Sequence, residues 1–101
     1  MAKWADYGIS KVRYDSEGKH IDCVMVRQDL GEKLGAASEW YRASVISKLE
    51  EGTSFITILE RSDDRWKKGK KVHIIEVNQK KYIRTDTNKT EADNLGELPT
   101  F

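Results

Sequence analysis

The chain has 101 residues, 38% hydrophobic and 35% charged, with one Cys and one Pro. That length fits one domain with one modest core, and a single cysteine excludes an internal disulfide framework. No stretch approaches the roughly 18 consecutive apolar residues of a membrane span, and the opening Met-Ala-Lys-Trp-Ala-Asp-Tyr has no apolar signal core, so the expectation is a soluble cytoplasmic protein without a membrane partner. The formal net charge of +1 conceals a segregation. Residues 1–64 carry 9 basic and 12 acidic side chains, residues 65–84 carry 8 and 1, and residues 85–101 carry 1 and 4, so the net charges are −3, +7 and −3. Such banding focuses a local potential even when the total is small.

Tyr7 to Tyr14 mixes aromatic and β-branched residues with polar ones, as a half-buried strand does. Asp15-Ser16-Glu17-Gly18 supplies turn chemistry, and Ile21 to Gln28 reads as a second strand, covered on both sides and paired with the first in a hairpin. Asp29 to Ala37 is punctuated by Gly31 and Gly35 and reads as a loop. A helix is expected to begin between Ser38 and Arg42, with Tyr41, Val45 and Leu49 on one apolar stripe and Ile46 beside them. Ser38 suits an N-cap for an early start, and Gly52 suits the left-handed residue just past the end. So short a helix needs its stripe packed on a sheet.

Phe55 to Leu59 is a continuous apolar run and reads as the central strand. A turn is expected from Ser62 through Trp66 to Gly69, followed by strands at Val72 to Val77 and Lys81 to Thr85 with Asn78-Gln79-Lys80 as a tight connection. Past Asp86 the periodicity stops, leaving Leu95, Leu98 and Phe101 as anchors of a C-terminal tail over residues 87–101. The order β-β-α-β-β-β predicts an α+β domain, an antiparallel sheet of about five strands with one helix packed on it. The alternative is a small SH3-like or OB-like partly open barrel carrying that helix. In either case Val24, Val45, Leu49, Ile56, Ile58 and Ile74 are expected to be buried together, and Leu49→Ala to cost about 2–5 kcal/mol.

Catalytic chemistry finds little support. His20, His73 and Cys23 have no zinc-ligand spacing. Cys23, flanked by Asp22 and Val24 in a strand, reads as a small buried hydrophobe. Glu50-Glu51 and Asp63-Asp64 are adjacent pairs whose side chains diverge, unlike a positioned acid and base. Asp86 to Asn94 is rich in oxygen ligands but lacks the central glycine and terminal glutamate of a calcium loop. Neither a cofactor nor catalytic residues are expected. The basic band is the best candidate for function. Trp66, Lys67, Lys68, Lys70 and Lys71 interleave an aromatic with four lysines in an expected hairpin loop, and Tyr82 and Arg84 follow on the next strand. Lysines bind phosphates as point charges while Trp and Tyr stack on bases, a pattern for nucleic acid. Lysines near sheet edges also serve simply to prevent aggregation. The favoured reading is a non-enzymatic binding or accessory domain with a protein partner or self-association, and nucleic-acid binding through residues 65–84 is the alternative.

The segments WADYGISKVRYD, HIDCVMV, VISKLEEGTSFITI and the closing VHIIEV, KYIRTD and DNLGELP resemble a family of small bacterial and archaeal proteins, Domain of Unknown Function 3892. The resemblance runs over nearly the whole chain. It implies a compact prokaryotic domain and transfers no activity, cofactor or site residue. It also implies that the ending around Asp93 to Pro99 is ordered against the body. Gln79 departs from the glycine such proteins often carry there.

Overall fold

A computed structural model describes residues 4–16, 20–31, 34–60, 66–85, 93, 95 and 98–101. Six strands and one helix follow in chain order: β1 (Tyr7–Tyr14), β2 (Ile21–Gln28), β3 (Ser38–Tyr41), α1 (Arg42–Glu50), β4 (Phe55–Glu60), β5 (Trp66–Val77) and β6 (Lys80–Arg84). They form one sheet in the order β3-β2-β1-β4-β5-β6. The sheet is mixed, which corrects the all-antiparallel expectation. β4 re-enters beside β1 and runs parallel to it over Tyr7 to Ile9, and every other neighbouring pair is antiparallel.

The sixth strand is β3, placed where the apolar spacing suggested the start of the helix. Its backbone pairs with Cys23 to Val26, so Tyr41 ends a strand and the helix starts only at Arg42. Ser38 therefore caps nothing, and Tyr41 is 67% exposed and outside the apolar stripe. Val45 is the fully buried residue of α1, with Ile46 and Leu49 packed at the margin of the core. The other helix end forms as expected. Gly52 has φ +97°, its N–H donates to the Leu49 carbonyl, and the Thr53 N–H donates to the Lys48 carbonyl. That pair of bonds is a Schellman motif, which satisfies carbonyls the helix leaves open.

Both faces of the sheet bury apolar side chains. The larger cluster joins Ile9, Val12, Val24, Val45, Phe55 and Ile83 to Leu95 and Leu98 near the C-terminus. Tyr7 packs at its edge, its ring stacked 5.3 Å from Phe55 and tilted 4.9 Å from Trp40. The smaller cluster holds Ala5, Ile56 and Ile58, covered by Trp4, Leu34 and Trp66. The six residues expected in one group are thus divided: Val24 and Val45 join the larger cluster, Ile56 and Ile58 the smaller, and Leu49 and Ile74 are half-buried. The cause is the period of two, which sends Phe55 and Ile56 to opposite faces of β4. A buried carboxylate fastens the cover of the smaller cluster. Asp29 accepts the Trp4 N–H at 2.8 Å through Oδ2 and the Gly31 N–H at 2.8 Å through Oδ1.

Beyond Ile9, β1 parts from β4, and the C-terminus takes the vacated edge. The Val12 N–H donates to the Pro99 carbonyl at 3.0 Å, and the Val12 carbonyl accepts the Phe101 N–H at 3.2 Å. The Arg13 guanidinium lies 4.5 Å over the Phe101 ring.

The far ends of the sheet also approach one another. Asp93 accepts the Ile83 N–H of β6 at 2.8 Å through Oδ1 and the Ile21 N–H of β2 at 2.7 Å through Oδ2. Three strands separate β2 from β6 in the sheet order. One carboxylate spans them only if the sheet is curled. Arg42 completes the closure, with Nε 2.6 Å from Asp93 Oδ2 and Nη2 3.3 Å from Oδ1.

Burial decides what truncating the helix stripe does. Val45→Ala is expected to cost about 2 kcal/mol, and half-buried Leu49→Ala about 1 kcal/mol, below the range expected for a core leucine. Urea unfolding of both variants checks this ordering. A larger loss at Leu49 than at Val45 would contradict the placement of α1.

Candidate binding surface on strand β5

The lysines expected in a loop lie on a strand. Trp66–Val77 is one 12-residue element. Its first half pairs with β4 through Glu60↔Trp66, Leu59↔Lys67 and Ile58↔Lys68, and after an irregularity through Ile56↔Lys71. Lysine and glycine are poor strand formers, but β-propensity yields to the pairing context. The irregularity is a bulge in which Gly69 and Lys70 together oppose Thr57. The Thr57 hydroxyl accepts the Lys70 N–H at 2.9 Å, in place of the ladder bond the bulge displaces. Gly69 is required by this approach, since a Cβ there would stand 2.1 Å from Thr57 Oγ1.

Lys67, Lys68, Lys70 and Lys71 are all exposed. None of the four ammonium groups has an ion-pair partner among the described residues. Several cations elsewhere are engaged: Arg42 with Asp93, Lys48 with Glu51 at 3.6 Å, Lys81 with Glu50, and Arg13 with Phe101. The Glu50 carboxylate, by hydrogen bond and by charge, pushes the Lys81 ammonium above its ordinary range.

The other three candidates are drawn inward. Trp66 is half-buried against the smaller cluster, with the Arg27 guanidinium 5.1 Å from its ring centre. Arg27 Nη1 donates to the Gly35 carbonyl at 2.9 Å, which fixes that arrangement. Tyr82 is 3% exposed and stacks on His20 at 5.6 Å with an interplanar angle of 9°. Arg84 is 5% exposed and makes its own interactions. The structure thus brings the four lysines together and removes Tyr82 and Arg84 from the surface. Alternation along β6 marks one residue in two as inward-facing but does not reveal that the sheet closure covers both faces of this strand.

Beside the lysines lies a cleft of about 430 Å³. Leu59, Leu95 and Leu98 supply its apolar lining, Thr57 and Thr85 supply hydroxyl groups, and the Lys67 to Lys70 segment forms a wall. The cleft opens where β1 and β4 diverge and residues near the C-terminus pack across the gap. It is invisible in the sequence because its walls come from positions as far apart as Thr57 and Leu98. A second depression lies beside His20, Arg42 and Lys80, where Arg42 and Lys81 are paired and Lys80 has no ion-pair partner among the described residues.

Cys23 is 1% exposed, and burial, reinforced by Glu39 nearby, pushes its thiol up from the ordinary range. A thiol so placed stays protonated near neutral pH and is a poor nucleophile. Among the described residues no group of three His, Cys, Asp or Glu is placed to hold a metal ion, and no helix is long and apolar enough to cross a membrane. The acidic stretch over residues 86–92 lies outside the described residues, as does the turn expected at residues 62–64.

The chain belongs to the family described as "Protein of unknown function (DUF3892)", whose pattern matches residues 8–99. No curated protein and no solved structure matches it.

The position of Cys23 sets its reactivity. In the native protein a water-soluble maleimide is expected to label it at least about tenfold more slowly than a free thiol peptide at pH 7.5, and at an equal rate after unfolding. Equal rates in the native protein would contradict its burial.

Proposed function

We propose that the chain is a non-catalytic binding domain whose β5 lysines hold an acidic segment of a protein partner. The observation that carries this reading is the charge of Lys67, Lys68, Lys70 and Lys71 within five consecutive positions of one strand, without an ion-pair partner among the described residues. Successive strand residues rise by about 3.3 Å, so neighbouring ammonium groups lie within a Debye length of about 8–10 Å and repel one another. A facing polyanion relieves that repulsion and is steered toward the strand from a distance.

A protein segment suits this surface better than nucleic acid. Single strands are held by lysines together with exposed aromatic platforms. Here Tyr82 is buried and Trp66 lies beneath Arg27, so the lysines stand without a stacking partner. Self-association by edge pairing finds less support than a separate partner. β3 is four residues long, and the outer edge of β6 has its Ile83 N–H taken by Asp93 and carries Lys80 and Lys81, all of which discourage strand addition.

The test compares a labelled peptide of alternating Glu and Ser with a single-stranded DNA of equal charge, by anisotropy at low and at physiological ionic strength. The peptide is expected to bind at low salt, to weaken steeply as salt rises, and to lose at least about tenfold in affinity when the four lysines are changed to Gln. No peptide binding at low salt, or tighter binding of the DNA, would overturn the proposal.

A further inference from the structure

We infer that the cleft beside β5 receives an apolar side chain of the bound acidic segment, so that the partner motif is a leucine-sized residue flanked by Asp or Glu. This inference rests on the reading of β5 as a site for an acidic protein segment and names what that segment must contain. Charge alone does not account for the surface. Lys67, Lys68 and Lys70 border a cavity of about 430 Å³, within the range of about 300–1,000 Å³ typical of ligand sites. Its apolar lining comes from Leu59 on β4 and from Leu95 and Leu98.

The placement of the charges selects the occupant. Lys67 pairs with Leu59, and directly opposed residues of an antiparallel ladder point to the same face. Lys67 therefore extends over the face that Leu59 lines, while Lys68 shares the face of Ile58. The bulge at Gly69 and Lys70 breaks the alternation between these two and Lys71. Lys67 and the bulge residue Lys70 thereby set cationic groups at the wall of an apolar pocket, while Lys71, opposite Ile56, belongs to the other face. An uncharged apolar ligand would leave the lysines unsatisfied, and a uniformly acidic chain would place carboxylates against leucines at a desolvation cost. A segment with acidic residues on either side of one apolar residue meets both conditions. The Thr57 hydroxyl at the wall is already engaged, accepting the Lys70 N–H.

The experiment uses the whole chain and two labelled peptides of alternating Glu and Ser, identical except for Leu or Ser at the centre. Filling the cleft from a half-buried lining position is done by Thr85→Phe. The Leu peptide is expected to bind about tenfold more tightly than the Ser peptide, the gain from burying one aliphatic side chain. In Thr85→Phe that advantage is expected to vanish while the affinity for the Ser peptide stays unchanged. Methyl resonances of Leu95 and Leu98 in the unmodified protein are expected to shift with the Leu peptide and not with the Ser peptide, a readout that stands even if the variant folds poorly. Equal, salt-sensitive binding of both peptides with no methyl shift would overturn the apolar subsite and leave the lysine site intact. Binding of neither peptide would overturn the lysine site and this inference with it.

Discussion

The Asp93 carboxylate is the interaction on which the rest of the structure depends. It is buried, its side chain is fully hidden from solvent, and it accepts the Ile21 and Ile83 amide protons together with two contacts from Arg42. A carboxylate so placed must be fully hydrogen-bonded and charge-compensated, or its desolvation cost is not recovered. The outer edge of β6 and the start of β2 each supply an amide that has no strand partner at that point. Joining them through one side chain closes the sheet without requiring a seventh strand. Arg42 is the first residue of α1, so the same contact also anchors the helix to the seam. The short contacts of Arg42 to the Lys81 carbonyl and of Lys81 to Glu50 lie along the same line.

Closure determines which parts of the basic band remain at the surface. Residues 65–84 read as one basic segment, yet the seam takes Tyr82 into a stack with His20, and Arg84 is buried on the same strand. The smaller cluster takes Trp66. What remains exposed, and without an ion-pair partner among the described residues, is the first half of β5, where Lys67, Lys68 and Lys70 border the leucine-lined cleft. Solvated lysines on a strand often serve only to discourage aggregation. That role fits Lys80 and Lys81 on the outer strand β6, whereas Lys67 to Lys71 pair with β4 on one side and lie beyond the stretch His73 to Val77 that pairs with β6.

Much of the fold is legible from local pattern. β1 and β2 have the bounds their alternation implies, Gly52 ends the helix as a left-handed residue should, and Asn78 and Gln79 with φ of 51° and 67° form the tight turn between β5 and β6. Two positive-φ residues at the centre of a two-residue loop are the pattern of a type I′ hairpin, where the Gln tolerates a conformation glycine would enter more easily. What escaped the pattern was decided by pairing. Ser38 to Tyr41 has no strand signature of its own and is a strand because Cys23 to Val26 offers an edge. Trp66 to Lys71 resembles a loop by composition and is a strand because β4 lies beside it. The candidate site divides in the same way. Charge counts along the chain find the lysines, whereas the loss of Tyr82 and Arg84, the cleft and the role of Asp93 arise from contacts between residues 10 to 72 positions apart.

Hydrogen exchange at two amides tests the central claim most directly. If Asp93 closes the sheet, the Ile21 and Ile83 N–H groups exchange as slowly as amides within the β1–β2 and β1–β4 ladders, and in Asp93→Ala both lose protection together while the β1–β2 ladder keeps its own. Fast exchange of either amide in the unmodified chain, or loss of one without the other in the variant, would contradict a closure made by this carboxylate.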